Sequence, residues 1–313
     1  MNTNIDYFKL FVSINSISSI FLKFRKFLRF VFTHPIYFGR LCYFILTTEY
    51  LRINFLKHIN NLIFNNAYSL NFSAKKRIDA FIFHHRYIQF ILNPKLFQDK
   101  TLCWQFGEQD KTICTRFEFS PIDHTIEGEC SVVLYLIDEP IAYMSFIFVD
   151  NNFIMDGDSN VLLVCRHQGV KGKFDKIREA NKLMMNLRMG NALLSTLEGF
   201  CKSLEITKIY GVTKKIQPTG GMRKQIDNCN DMYDEFWSSL SSDLSLDGYY
   251  SLTIPLDRSR LSPTSRSHLS RHKRHLKRKA YFSESSFQLG FMSKTRIEEQ
   301  TKVNMCHPMK RQH

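Results

Sequence analysis

Residues 161–173 read Val-Leu-Leu-Val-Cys-Arg-His-Gln-Gly-Val-Lys-Gly-Lys, and this passage decides the fold. Val161 to Cys165 has the length and branched character of a buried strand. Gly169 and Gly172 then break the chain, and from Phe174 the apolar spacing turns helical through Ile177 and Ala180. Gly190 opens a stronger helix, in which Leu193, Leu194, Leu197, Phe200, Cys201 and Leu204 form one stripe. Ile206 to Val212 is the next strand. The stretch between the two strands is long enough for a crossover, so they are expected to lie parallel.

Upstream the period is two. Thr112–Phe119, Ser131–Leu136 and Ile141–Val149 read as strands, and Phe153–Met155 as the start of another. Asp138-Glu139-Pro140 and Asp150-Asn151-Asn152 are turn chemistry, and connections this short imply an antiparallel meander. Downstream come a loop at Pro218-Thr219-Gly220-Gly221, a helix over Met232–Leu240 and a last strand over Tyr249–Ile254. The expectation is an α+β core over residues 101–257, with a mixed, mainly antiparallel sheet and flanking helices. A helical region, 1–100, precedes it, and a basic appendage, 258–313, follows.

In the N-terminal region, apolar residues recur at helical spacing from Phe11 to Val31, with Lys23, Lys26 and Arg29 between them. That is an amphipathic helix with a basic face, suited to packing on the domain or to lying on a membrane surface. A second helix runs from Ala74 to about Leu92, with Ser73 as its cap. The charge-free run Leu10–Leu22 is too short to span a bilayer and lacks the marks of an export signal.

The net charge is +14, and nine Lys and Arg lie between Arg258 and Lys279 with no acid among them. Such a segment suits a phosphate-bearing partner: nucleic acid, anionic lipid or a phosphorylated ligand. None of the eight cysteines forms a C-x-x-C pair. Buried free thiols, and hence a reducing, cytoplasmic setting with peripheral contact at the inner membrane, are the expectation.

Four passages bear on possible chemistry. Gln168, Gly169, Lys171, Gly172 and Lys173 lie between a strand and a helix. Glycines there let backbone N–H groups approach a pyrophosphate, and the same pattern also suits a basic surface turn. The spacing is neither a Walker loop nor a dinucleotide fingerprint. His84-His85, adjacent on a helix, point different ways, which disfavours a shared metal. Tyr233-Asp234-Glu235-Phe236-Trp237 offers Glu235 or Tyr233 as acid or base, or else a helix with its aromatics turned inward. His268, His272 and His275 have ligand spacing, but the cations around them repel a divalent metal, so no metal site is expected.

Taken in order, His84-His85 with Tyr87, Ile126-Glu127-Gly128-Glu129, Gln168-Gly169, Leu187-Arg188, Ile209-Tyr210-Gly211-Val212, Tyr233 to Trp237 and the basic Arg274–Tyr281 resemble the VirK/YbjX family of enterobacterial and related Gram-negative proteins. The chain departs from that pattern at Cys165-Arg166-His167, Val170 and Met189. The resemblance implies a virulence-associated accessory role in envelope remodelling, resistance to antimicrobial peptides or surface display of a virulence protein. It brings no settled catalytic residues.

The element order is also similar to the acyl-CoA N-acyltransferase fold. There, either the Gln168–Lys173 turn or the Arg188–Ala192 turn, with Arg188 and Gly190, would hold the pyrophosphate of CoA or acyl-CoA. Three functional classes follow: a non-enzymatic factor holding anionic membrane or an envelope client protein, an acyltransferase-like enzyme, and a basic RNA-binding post-transcriptional factor.

Overall fold

Near-continuous burial along the central strands, whose side chains alternate between two faces, decides where the helices sit. The computed structural model describes residues 24–63, 65, 67–107, 112–155, 159–218, 231–240, 243–245, 247–256 and 266–306, without side-chain detail at 122–124, 231–232, 266–269 and 291–306. The strands are β1 (Thr101–Phe106), β2 (Ile113–Phe119), β3 (Cys130–Leu136), β4 (Glu139–Asp150), β5 (Asn160–Gly169), β6 (Lys208–Val212), β7 (Asp243–Leu244) and β8 (Tyr249–Thr253). They form one sheet in the order β1-β2-β3-β4-β5-β6-β8-β7. The β5–β6 pair is parallel and the other pairings are antiparallel.

Residues 24–33 are helical. The helices that follow are α1 (Pro35–Thr47), α2 (Glu49–Arg52), α3 (Phe55–Ile63), α4 (Ala74–Ile91), α5 (Lys95–Gln98), α6 (Phe174–Leu183), α7 (Met189–Ser203), α8 (Asp231–Ser238) and α9 (Arg266–Cys306). The mixed, mainly antiparallel sheet with flanking helices is the architecture the sequence implies.

Both faces of the sheet are apolar. Phe146, Phe148, Leu162, Val164 and Ile209 point to one side, where α7 and Phe282 of α9 cover them. Ile147, Val149, Val161, Leu163, Tyr210 and Val212 point to the other, against the helices of the N-terminal region. A sheet covered on both sides needs apolar residues at successive positions, which is why its strands read as near-continuous apolar runs. Helix α4 begins where Ser73 Oγ accepts the Lys76 N–H at 3.3 Å. Its Arg77 is buried and donates to the carbonyls of Leu62 and Phe72 at 2.7 and 2.6 Å. The end of α3 is thereby satisfied by a side chain from the next helix.

Four features differ from the sequence expectations. Strand β1 was not expected. Leu102 pairs with Arg116 and Trp104 with Thr115, so Cys103 is bulged out of register and the alternation that marks a strand is lost. Residues 151–153 form a short 3₁₀ turn, capped by Asp150 accepting from Asn152 N–H at 2.9 Å, rather than opening a strand. Strand β5 does not end at Cys165 but pairs with β4 as far as Gly169. The basic tail is not detached from the core: α9 lies along α7, and its Phe282 is fully buried, stacked on Trp104 at 3.9 Å.

The α7–α9 contact is backbone against backbone at Gly199 and backbone against side chain at Gly290. A Cβ built on Gly199 would stand 1.8 Å from the carbonyl oxygen of Ser283, and one on Gly290 would meet Ser203 Oγ at 1.9 Å. Only glycine fits where two helix axes come this close. Gly199→Val should therefore lift α9 off α7 and cost about 3 kcal/mol or more, the scale of core overpacking. Urea unfolding measures this directly, and a midpoint equal to wild type would contradict it.

Candidate functional site

The Arg166–Lys173 passage is built into the sheet before it turns. Ser145, Met144, Tyr143 and Ala142 of β4 pair with Arg166, His167, Gln168 and Gly169. The Val170 N–H donates to Ile141 O at 2.8 Å. The face of Gly169 is covered, because a Cβ there would meet Ile177 Cδ1 at 2.7 Å. Gly172 takes φ +80 with open space around it, a turn conformation that favours glycine. Lys173 and Lys176 both bind the Glu139 carboxylate, and Lys171 is exposed.

Gln168 belongs to a partly buried polar ring. The Arg166 guanidinium pairs with Glu127 and donates to Gln168 Oε1. Gln168 Nε2 donates to Tyr143 OH, which stands 3.5 Å from Glu127 Oε2. Glu127 and Arg166 are almost inaccessible, so each needs the other. Gly128 places Glu127 there. It has φ +129, and a Cβ on it would lie 2.7 Å from the Phe146 N atom. The Glu127-Gly128-Glu129 backbone thus presses onto β4 in a conformation that favours glycine.

Glu129 faces the histidines of α4. Tyr68 OH donates to its Oε1 at 2.5 Å, and His85 Nε2 lies 3.4 Å from its Oε2. On the other side of the imidazole, Tyr50 OH is 3.3 Å from His85 Nδ1. A carboxylate, an imidazole and a phenol therefore follow one another. The His85 side chain is 1% exposed, and its Nε2 makes no hydrogen bond of good geometry. His84 turns elsewhere. Strand β3 stops pairing with β4 at Phe146, and His84 Nδ1 accepts the Phe148 N–H beyond that point at 3.0 Å. An N–H can only donate, so the His84 proton is on Nε2, which faces Cys130 Sγ at 3.5 Å.

His85 and Glu129 line a cavity of about 670 Å³, bounded by α2, α5 and the end of β2. The aromatic rings of Tyr50 and Phe119 stack on its wall at 5.3 Å. His58, also in the wall, is pushed down to about 4 by burial.

The other sequence candidates lie on the far side of β5. Parallel pairing with β6 covers only Leu162–Val164, after which the strands diverge. Helix α8 fills that wedge. A Cβ on Gly211 would fall 2.4 Å from the Trp237 ring, and a Cβ on Gly190 would lie within 3 Å of both His167 and Phe236. Tyr233 sits with its ring 6.2 Å from that of His167, and Glu235 is exposed on the opposite face of α8. Arg188, also exposed, caps α7 beside a smaller cavity of about 230 Å³ shared with Asn191, His272, His275 and Lys279. The structure thus sets Gly190 against His167 and the Met189 side chain against Gly169, leaves Arg188 exposed beside the smaller cavity, and brings together His85, Glu129, Tyr50 and Tyr68. Sequence spacing alone did not point to that last set, although His85 and Glu129 both lie in the passages that carry the family resemblance.

The family model described as "Protein of unknown function (DUF535)" matches residues 19–283. The chain belongs to the DUF535 family. No curated protein matches the chain. Among solved structures, a cAMP-binding acyltransferase from Mycobacterium smegmatis is similar at 10% identity over 69% of this chain, with a TM-score of 0.28. The DUF535 chain spans 63% of that protein's length, and so faint a likeness carries no argument.

Among the described residues of this DUF535 protein, no helix is long and apolar enough to cross a membrane. No group of three or more His, Cys, Asp or Glu among them is placed to hold a metal ion. The described cysteines whose state is resolved (42, 103, 114, 130, 165 and 201) are unbridged.

Burial sets a pH dependence. It pushes His58 and His167 down to about 4 and His84 well below its ordinary value. Below pH 6.5 the unfolded chain takes up protons on these residues that the folded chain refuses. Stability is therefore full above about pH 6.5 and falls toward pH 4, by about 1.4 kcal/mol per pH unit for each histidine. Urea midpoints at pH 7 and pH 5 check this, and equal midpoints would contradict it.

Proposed function

We propose that this DUF535 protein is a VirK-like accessory factor that docks peripherally on an anionic membrane surface through its N-terminal helices. The observation that carries the reading is a run of exposed apolar residues interleaved with cations along residues 24–57. Phe32, Ile36, Tyr43, Ile53 and Leu56 are each more than 70% exposed. Single exposed apolar residues are ordinary, whereas five of this size within 25 residues are not. The same region, residues 24–57, holds six Lys and Arg (Arg25, Lys26, Arg29, Arg40, Arg52 and Lys57) against the single acid Glu49.

Within residues 24–33, Phe27 and Phe30 turn inward while Phe24, Leu28 and Phe32 face outward. Apolar side chains beside cations match the interfacial layer of a bilayer. The VirK/YbjX resemblance supports placing such a factor at the envelope, in resistance to antimicrobial peptides or in display of a virulence protein. Flotation with vesicles tests the docking. Binding should require anionic lipid, and Arg25, Lys26 and Arg29 changed together to Gln should weaken it roughly a hundredfold, at about 1 kcal/mol per charge. Equal flotation with zwitterionic vesicles would sink the reading.

A second reading, an acyl-CoA-dependent enzyme, draws on one observation. The smaller cavity places Arg188 and Lys279 beside the first turn of α7, with Lys279 Nζ 3.2 Å from Asn191 Oδ1. Backbone N–H groups and cations suit a pyrophosphate. Because α8 fills the β5–β6 wedge, the rest of a CoA molecule would have to run over the surface of α7 and α9. Calorimetry with CoA should show binding that Lys279→Gln weakens, and no heat at about millimolar ligand removes this reading.

A further inference from the structure

The cavity above His85 and Glu129 is used by neither reading. Its lining mixes polar and apolar side chains without being strongly charged. Two carboxylates, Glu49 and Glu129, face one ammonium, Lys95, so a polyanion would find no excess of countercharge there. Its wall also carries the amides of Asn54, Asn93 and Gln98. Amides and carboxylates together offer donors and acceptors in several directions, as closely spaced hydroxyl groups require. The stacked Tyr50 and Phe119 rings supply an aromatic surface for the C–H face of a saturated ring. The volume, about 670 Å³, lies in the range of small-molecule sites.

A buried imidazole lies behind its wall. His85 Nε2 is buried and makes no hydrogen bond of good geometry, with the Glu129 oxygen in ion-pair range at 3.4 Å. On its other side the ring meets the Tyr50 hydroxyl, 3.3 Å from Nδ1, which links the imidazole to the cavity wall.

We propose that this cavity binds the polyhydroxyl ring of a sugar, free or carried on a lipid headgroup, with Tyr50 as its hydrogen-bonding contact and His85 coupled to the ligand through the Tyr50 hydroxyl. Glu129, held by Tyr68, is a positioning residue that fixes the imidazole. The site borders the membrane-docking surface at Ile53 but rests on other residues, and the test keeps the two apart.

The full chain, labelled with ¹⁵N in its histidine rings, is titrated in one arm with glucose, N-acetylglucosamine and their disaccharides up to roughly 50 mM. In the other arm it meets zwitterionic vesicles carrying a neutral glycosyl diacylglycerol. The expected result is a saturable shift of the His85 signals, with a Kd of about 1–10 mM for a free sugar. A shift in the vesicle arm alone assigns the ligand to a headgroup. Tyr50→Phe keeps the ring packing and should weaken binding about tenfold, the worth of one well-made hydrogen bond. Glu129→Gln should move the His85 nitrogen signals in the ligand-free protein as well. The triple Gln variant of Arg25, Lys26 and Arg29 should bind free sugar as wild type does, whatever its flotation. No shift in either arm, or unchanged affinity in Tyr50→Phe, overturns the proposal.

Discussion

Arg166 carries a permanent charge into the middle of a packed sheet, and the surrounding chain is arranged to neutralise it. The guanidinium cannot shed its proton, so it needs a carboxylate and oriented acceptors. Glu127 supplies the first and Gln168 the second. For Glu127 to reach Arg166, the loop after β2 must lie flat on β4, which Gly128 permits by leaving the Phe146 backbone room. The next residue, Glu129, is thereby delivered to Tyr68 and His85. One buried ion pair therefore fixes both the polar ring on β5 and the floor of the larger cavity. Removing either member would leave the other charged and buried, among the costliest defects a core can carry.

This coupling explains which parts of the fold were legible in the sequence. Strands β2 to β6 and the parallel crossover follow from local period and connection length. Those signals lie within about ten residues of chain, and the apolar runs announce them. Strand β1 was hidden because the Cys103 bulge interrupts its alternation. The length of β5 was hidden because Arg166, His167 and Gln168 look like the end of a strand. They stay in the sheet because of partners at positions 127 and 143. The docking of α9 was hidden for a similar reason: a basic helix looks detachable until Gly199 meets Ser283 and Phe282 meets Trp104.

The candidate site divides along the same line. Gln168 and Gly169 stand out in the sequence as candidate ligand contacts, and in the fold their neighbours engage them through packing and a polar ring. Gly172 is a turn glycine, and the Lys173 beside it is tied to Glu139. The opposed directions of His84 and His85 follow from helical geometry and were legible. That His84 would serve a backbone N–H at the end of β3, while His85 would face a carboxylate and a phenol, depends on where β3 stops. Sequence spacing holds no record of that. Trp237 was visible as an inward aromatic, and its seat on Gly211 joins two passages of the family pattern that lie 26 residues apart.

The two surfaces of interest meet at α2. Ile53, at its end, is 86% exposed and forms part of the apolar surface. It also lines the larger cavity, together with Glu49 and Tyr50. A membrane held against the N-terminal helices would bring the cavity mouth to the headgroup layer, where hydroxyl-bearing rings are displayed. Membrane contact and ligand entry would then share one short helix of four residues, whose position is set by Tyr50 stacking on Phe119 and reaching His85. A helix of that length has little stability of its own. Its place depends on those ring contacts, so a ligand that engages Tyr50 would also bear on the orientation of Ile53.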